Sequence, residues 1–247
     1  MNIFWAGVLG AVQGLTEFLP ISSSGHLVLI QKFIPGFSQP GILFDVILHF
    51  GTLFAVIYLF RKKIFALTPK YLLLLVLGSI PAALAGFLFR REFEEMFKRG
   101  TFLGIEFLIT GILNFLVDIP SPVKTPLSVK NSLLIGIAQA VSIIPGISRS
   151  GATIFTGVRL GIDRKSAAEY SFLLSVPAIF GANLLEIFSQ GFKDTSLPQG
   201  SYLAGFLVSF IVGIFSIKLV MKFLLKSQFK FFAYYALALG LAILLLQ

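Results

Sequence analysis

Three short constellations in this 247-residue chain carry side chains suited to chemistry. The first is Ser148-Arg149-Ser150-Gly151-Ala152-Thr153, preceded by Pro145-Gly146. An arginine guanidinium is permanently charged, and its planar fork of donors matches phosphate oxygens. A helix beginning just after this loop would aim free N–H groups and its dipole at the same point. Gly146 and Gly151 would let the backbone approach closely. This pattern suits an anion site. The alternative is an arginine that pairs with Glu17 only to join two parts of the chain.

The second constellation is Gln13-Gly14-Leu15-Thr16-Glu17. Positions i and i+4 share a helical face, so Gln13 and Glu17 look into the same space. A carboxylate there could hold a divalent cation through oxygen ligands, act as a base, or serve as a structural partner. The third is Ser22-Ser23-Ser24-Gly25-His26. A hydroxyl becomes a good nucleophile beside a base, and an imidazole can give a proton to a leaving oxygen. Serines also cap helices, and at least one of these three is expected to do only that. Asp45 and His49 lie one helical turn apart and receive no role. Glu106, Glu169 and Glu186 read as structural.

The elements that must position these groups are apolar. Hydrophobic residues make up 56% of the chain, charged residues 13%, and the mean hydropathy is +0.92. Soluble domains carry roughly 25% charged residues, so this chain could not cover a water-facing surface. Six stretches read as spans: 42–60, 71–89, 102–117, 167–187, 202–221 and 231–246. Two more are apolar but broken by the serine-bearing loops, at 3–34 and 132–160. Neither half of either is long enough to cross alone, and irregular backbone at membrane depth survives only inside protein or beside a wet cavity.

These two stretches match after a gapless shift of 126 positions, which places Gly10, Gln13, Ile21, Ser22, Ser24 and Gly25 on Gly136, Gln139, Ile147, Ser148, Ser150 and Gly151. The expected fold is therefore an all-α polytopic membrane protein with six spanning helices and two re-entrant helix–loop–helix hairpins in an inverted-topology repeat. The chain forms one membrane domain, with repeat 1 over about 1–120 and repeat 2 over about 127–247. Under this threading thirteen basic residues fall on the cytoplasmic side and six outside, as the positive-inside rule prefers. The outside group includes Lys32, Lys193 and the basic residues between 90 and 99, and Lys124 falls inside. Both termini are expected outside. The first residues do not read as a cleaved signal peptide. A net charge of +9 without a polar basic patch points to anionic lipid heads, not nucleic acid. The absence of cysteine excludes thiolate chemistry.

With these residues in view, the chain resembles the undecaprenyl-pyrophosphate phosphatase family, also called bacitracin-resistance proteins. One signature is (E/Q)-x-x-x-E, here Gln13 to Glu17, continuing through Phe18-Leu19-Pro20-Ile21-Ser22-Ser23-Ser24-Gly25-His26. The other is P-G-x-S-R-S-x-x-T, matched by Pro145, Gly146, Ser148, Arg149, Ser150 and Thr153. The resemblance implies removal of the terminal phosphate from undecaprenyl diphosphate, which recycles the lipid carrier of peptidoglycan synthesis and confers bacitracin resistance. It further implies a divalent cation, Mg2+ or Ca2+, and a plasma-membrane site open to the outer side. Carried over by position, Glu17, Ser23, His26 and Arg149 would be catalytic. Ser22, Ser24, Ser148, Ser150, Thr153, Gly146 and Gly151 would bind substrate, and Glu17 with Gln13 would hold metal. Many members have Glu where this chain has Gln13, which leaves one carboxylate there. The expected partners are a polyprenyl diphosphate and membrane lipids, with a homodimer left open. A polyprenyl-phosphate carrier and a non-catalytic lipid-binding scaffold remain as alternatives.

Overall fold

The computed structural model describes residues 2–31, 34, 42–119, 125–190 and 197–246. Lys32, Phe33, Lys124 and Lys193, and the repeat bounds at 1, 120 and 247, lie outside these residues. The described residues form eleven helices: α1 (Ile3–Thr16), α2 (Ser23–Gln31), α3 (Ile42–Phe65), α4 (Pro69–Leu88), α5 (Arg90–Arg99), α6 (Leu103–Val117), α7 (Val129–Val141), α8 (Arg149–Arg159), α9 (Arg164–Gln190), α10 (Gln199–Leu225) and α11 (Lys230–Leu246). No strand occurs among them. Each of the six expected spans is helical, and both broken stretches are helix–loop–helix units.

Four helices, α3, α4, α9 and α10, are long and apolar enough to cross a membrane. Helices α6 and α11 are apolar but have 15 and 17 residues. The exterior is apolar: Phe87 is 71% exposed, Phe188 78% and Leu246 88%. The interior holds Gln13, Glu17, Asn114, Gln139 and Ser150, all nearly inaccessible. This inverts the soluble pattern and suits an apolar solvent. The basic residues from Arg90 to Arg99, expected in a loop, instead lie on α5. Phe93, Met96 and Phe97 recur there at helical spacing, and Arg90 pairs with Glu94 one turn on, at 2.8 Å.

The helices pack in matched ways. α1 lies on α10 and α7 on α4; α3 also meets α10, α9 also meets α4, and α3 meets α9. Glycine makes the first two contacts close. A methyl group on Gly10 would stand 2.7 Å from the Gly205 carbonyl oxygen, and one on Gly136 would run into that of Gly78.

Each hairpin loop forms where the chain cannot stay helical. Pro20 follows α1 by four residues and Pro145 follows α7 by four, and proline removes a donor and crowds the preceding turn. Each second helix then starts on a serine. Ser22 Oγ accepts from Gly25 N at 3.3 Å and Ser148 Oγ from Gly151 N at 3.2 Å.

Candidate active site

The two loops meet. Ser24 Oγ donates to the Pro145 carbonyl oxygen, and Ser150 Oγ donates to that of Leu19 at 3.3 Å. These bonds are exchanged by the 126-residue shift, so each loop presents the same hydroxyl to the same carbonyl of the other. Ser22 Oγ adds a second donor to Pro145 O at 2.5 Å. Helix α6 braces both loops from one side. Asn114 Nδ2 donates to Pro20 O at 2.5 Å, and Thr110 Oγ1 donates to Gly146 O at 2.9 Å while accepting from Ser148 N at 2.9 Å. Glu106 Oε2 accepts from Gly146 N at 3.0 Å, the structural role expected of it. Phe18, fully buried, anchors the first loop edge-on against Phe172 of α9 with ring centroids 5.8 Å apart.

Where the tips meet, Arg149 Nη2 pairs with Glu17 Oε1. The carboxylate's other oxygen, Oε2, accepts from Ser23 Oγ at 2.8 Å and from Gln13 Nε2 at 3.1 Å. Both charged side chains are nearly enclosed, at 15% and 8% exposure. Two charges this buried are tolerable because they face each other and because hydrogen bonds occupy the remaining carboxylate oxygen. Gln13 Oε1 is buried with no partner among the described residues.

A cavity of about 60 Å³ opens beside this pair, lined by Thr16, Glu17, Ser22, Ser23, Ser24, Ser142, Ile147, Ser148 and Arg149. It has room for a few water molecules. Six of the expected residues are on its wall: Glu17, Ser22, Ser23, Ser24, Ser148 and Arg149. Thr16 and Ser142 were not expected, although the shift relates them to each other; a lone hydroxyl at a helix end carries no signal. Ser23 and Arg149 are also mates under the shift.

Other expected site residues stand behind the wall. Thr153 Oγ1 meets Ser171 Oγ at 2.6 Å and donates to Arg149 O at 2.8 Å, so it holds the α8 turn instead of lining the cavity. Ser150 is spent on the other loop. Gly146 fits against Glu106, where a side chain would collide, and Gly151 is wedged beside Asn114 and Pro20. His26, expected to work on the reacting group, has both ring nitrogens engaged away from the cavity. Nδ1 lies 2.6 Å from Ser22 O and Nε2 lies 2.7 Å from the Tyr235 hydroxyl of α11. Helix geometry explains this: at i+4 from Ser22 the ring reaches back over the first turn, not forward past the loop. His49 Nδ1 is 2.8 Å from its own helix's Asp45 carbonyl.

Sequence comparison identifies the family. Residues 6–242 match the family described as bacitracin resistance protein BacA. The chain is 40% identical to the undecaprenyl-diphosphatase of Carboxydothermus hydrogenoformans over 257 residues, covering 100% of this chain and 98% of the relative. It is 41% identical to that of Halothermothrix orenii over 258 residues, again 100% and 98%. It is 38% identical to that of Methanosphaera stadtmanae over 276 residues, 100% and 99%. The chain therefore belongs to the bacitracin resistance protein family.

Proposed function

We propose that this member of the family hydrolyses undecaprenyl diphosphate to undecaprenyl phosphate and inorganic phosphate. The observation that carries the reading is the Ser23–Glu17–Arg149 arrangement: a hydroxyl already donating to a carboxylate, with a guanidinium from the other loop beside them. Ser23 Oγ attacks the terminal phosphorus and its proton passes to Glu17 Oε2. The bridging P–O bond breaks with its electrons on the departing lipid phosphate. That leaving group is a phosphate monoester with a second pKa near 6, so it departs without a proton donor. Water then attacks the phosphoserine: the phosphorus–Oγ bond breaks, Glu17 Oε2 returns its proton to Ser23 Oγ, and both protons of the water leave on inorganic phosphate. Arg149 and the Ser148 hydroxyl stabilise charge on the transferred group, while the Ser22 and Ser24 hydroxyls, which line the same cavity, stay on the Pro145 carbonyl and hold the loop. The Glu17–Arg149 pair parts as the diphosphate enters, because phosphate oxygens compete for the same guanidinium.

The donors also suit Mg2+ or Ca2+. No group of three or more acidic or histidine residues converges among the described residues. Glu17 and the unpartnered Gln13 Oε1 offer hard oxygen ligands, and magnesium sites of this kind lean on substrate phosphates for the rest. The ion would supply positive charge to the phosphate oxygens. The membrane plan proposed with this chemistry has six spans (α3, α4, α6, α9, α10 and α11) and two re-entrant hairpins in inverted repeats. It places both termini and the site on the outer side of the plasma membrane. The matched packing and the brevity of α1, α2, α7 and α8 support it, and single cysteines introduced into this cysteine-free chain would test it by sided labelling.

The deciding experiment is phosphate release from undecaprenyl diphosphate by purified protein in detergent. Arg149→Ala should lower kcat about 100- to 1,000-fold or more, and chelator should lower the native rate. A rapid acid quench should trap phosphoserine at position 23. Turnover by Ser23→Ala would assign the attack to water, and native-like turnover by Arg149→Ala would end the reading. A carrier would leave the Ser23–Glu17 contact without a use.

A further inference from the structure

Tyr235 belongs to no motif, yet it makes the most telling contact of the site's outer layer. Its ring stacks on His26, with centroids 5.6 Å apart and planes 12° from parallel. Its hydroxyl is 2.7 Å from Nε2. Phe107 closes another side edge-on at 5.2 Å. The opposite nitrogen, Nδ1, faces the Ser22 carbonyl oxygen at 2.6 Å. A carbonyl oxygen only accepts, so Nδ1 carries the hydrogen. Among the described residues no carboxylate is bonded to this buried ring, and a buried imidazolium without a counter-charge is costly. In the neutral ring Nε2 is then the acceptor, and Tyr235 donates to it.

What this chain of bonds holds is strained. Ser22 has φ +68°, one of two non-glycine residues in the left-handed region among the described residues. Its mate Ser148 sits at φ −71°. The left-handed conformation costs an L-residue roughly 1–2 kcal/mol, so contacts elsewhere must hold it. Here they are the Pro145 carbonyl on the Ser22 hydroxyl and the His26 ring on the Ser22 carbonyl. Ser23 is the next residue, the first of α2, with its hydroxyl 2.8 Å from Glu17.

We propose that Tyr235 is a positioning residue: its hydroxyl fixes the His26 tautomer, and His26 thereby holds the left-handed Ser22 that aims Ser23 at Glu17. His26 acts on the backbone and not on the phosphoryl group. The importance of aiming Ser23 rests on the hydrolase reading above; the tautomer does not.

The test uses full-length protein in detergent, labelled with 15N-histidine. The chain has two histidines, so a His49→Gln sample assigns the signals. The expected native spectrum shows His26 protonated at Nδ1 with an Nε2 lone pair. Tyr235→Phe keeps the stacked ring and removes the hydroxyl. It should lower kcat about tenfold, as expected for one lost hydrogen bond, while KM and the melting temperature stay near native values. An Nε2-protonated or doubly protonated His26 in the native protein overturns the proposal. So does native kcat in Tyr235→Phe, a change carried by KM, or a loss of kcat that tracks a loss of stability. If the native protein released no phosphate the hydrolase reading would fail, and the spectrum would still decide the tautomer.

Discussion

Gln13 and Gln139 occupy matched positions in α1 and α7, and their surroundings differ. Gln13 Nε2 donates to Glu17, four residues on, while the buried amide of Gln139 has no partner on either atom among the described residues. At the position matching Glu17 the second hairpin carries Ile143, and at the position matching Ser23 it carries Arg149. The caps, the exchanged serine–carbonyl bonds and the glycine contacts recur in both halves. The chemistry does not. A twofold frame can bring two tips to one point, but identical tips would put like groups against like. The two substitutions place an anion from one half against a cation from the other, and turn a symmetric contact into a site.

The largest test of this comparison removes the two charges. Glu17→Gln or Arg149→Gln alone leaves a buried charge unpaired and should cost about 3–5 kcal/mol of stability. The double variant should recover most of that without recovering turnover. Equal losses from single and double variants in thermal unfolding would mean that the pair does not hold the tips together.

Next come the glycines. Gly10→Ala and Gly136→Ala should each cost about 1–3 kcal/mol through overpacking, with Gly136→Ala at least as harmful because its neighbour is closer. Gly7→Ala, with nothing among the described residues within 4 Å, should instead add about 0.4–1 kcal/mol of stability, because alanine suits the helix and restricts the unfolded chain. A harmless Gly136→Ala would break the matched-packing argument.

The smallest effect separates Ser22 from Ser148. Ser148→Gly loses a cap and gains no relief. Ser22→Gly loses a cap and the Pro145 bond but is freed of a left-handed cost of about 1–2 kcal/mol. Ser148→Gly should therefore be the more destabilising by about 0.5 kcal/mol in chemical denaturation, the relief less the lost Pro145 bond; the reverse order would show that Ser22 is not strained.

Much of this was legible before any fold was known. Hydropathy located six apolar helices, four of them long enough to cross a membrane, and Pro20 and Pro145 located the loops, because both signals are local: solvent preference and backbone sterics depend on a residue and its near neighbours. The 126-residue match paired the two serine loops, and the packing of α1 on α10 and of α7 on α4 follows the same pairing. Asn114, a polar side chain in an apolar run, was an available clue to the α6 brace that went unread. The amphipathic α5 was likewise visible in the spacing of Phe93, Met96 and Phe97.

The sequence alone determined a helical, membrane-compatible chain with two related serine loops and the charged groups a phosphate site needs. Only the tertiary structure decided which of those groups face one cavity. It put Ser142 on the wall, moved Thr153 and Ser150 behind it, and turned His26 toward a tyrosine 209 positions away. The physical reason is that a side chain's partner is set by how whole helices pack, and no short window of residues contains that information.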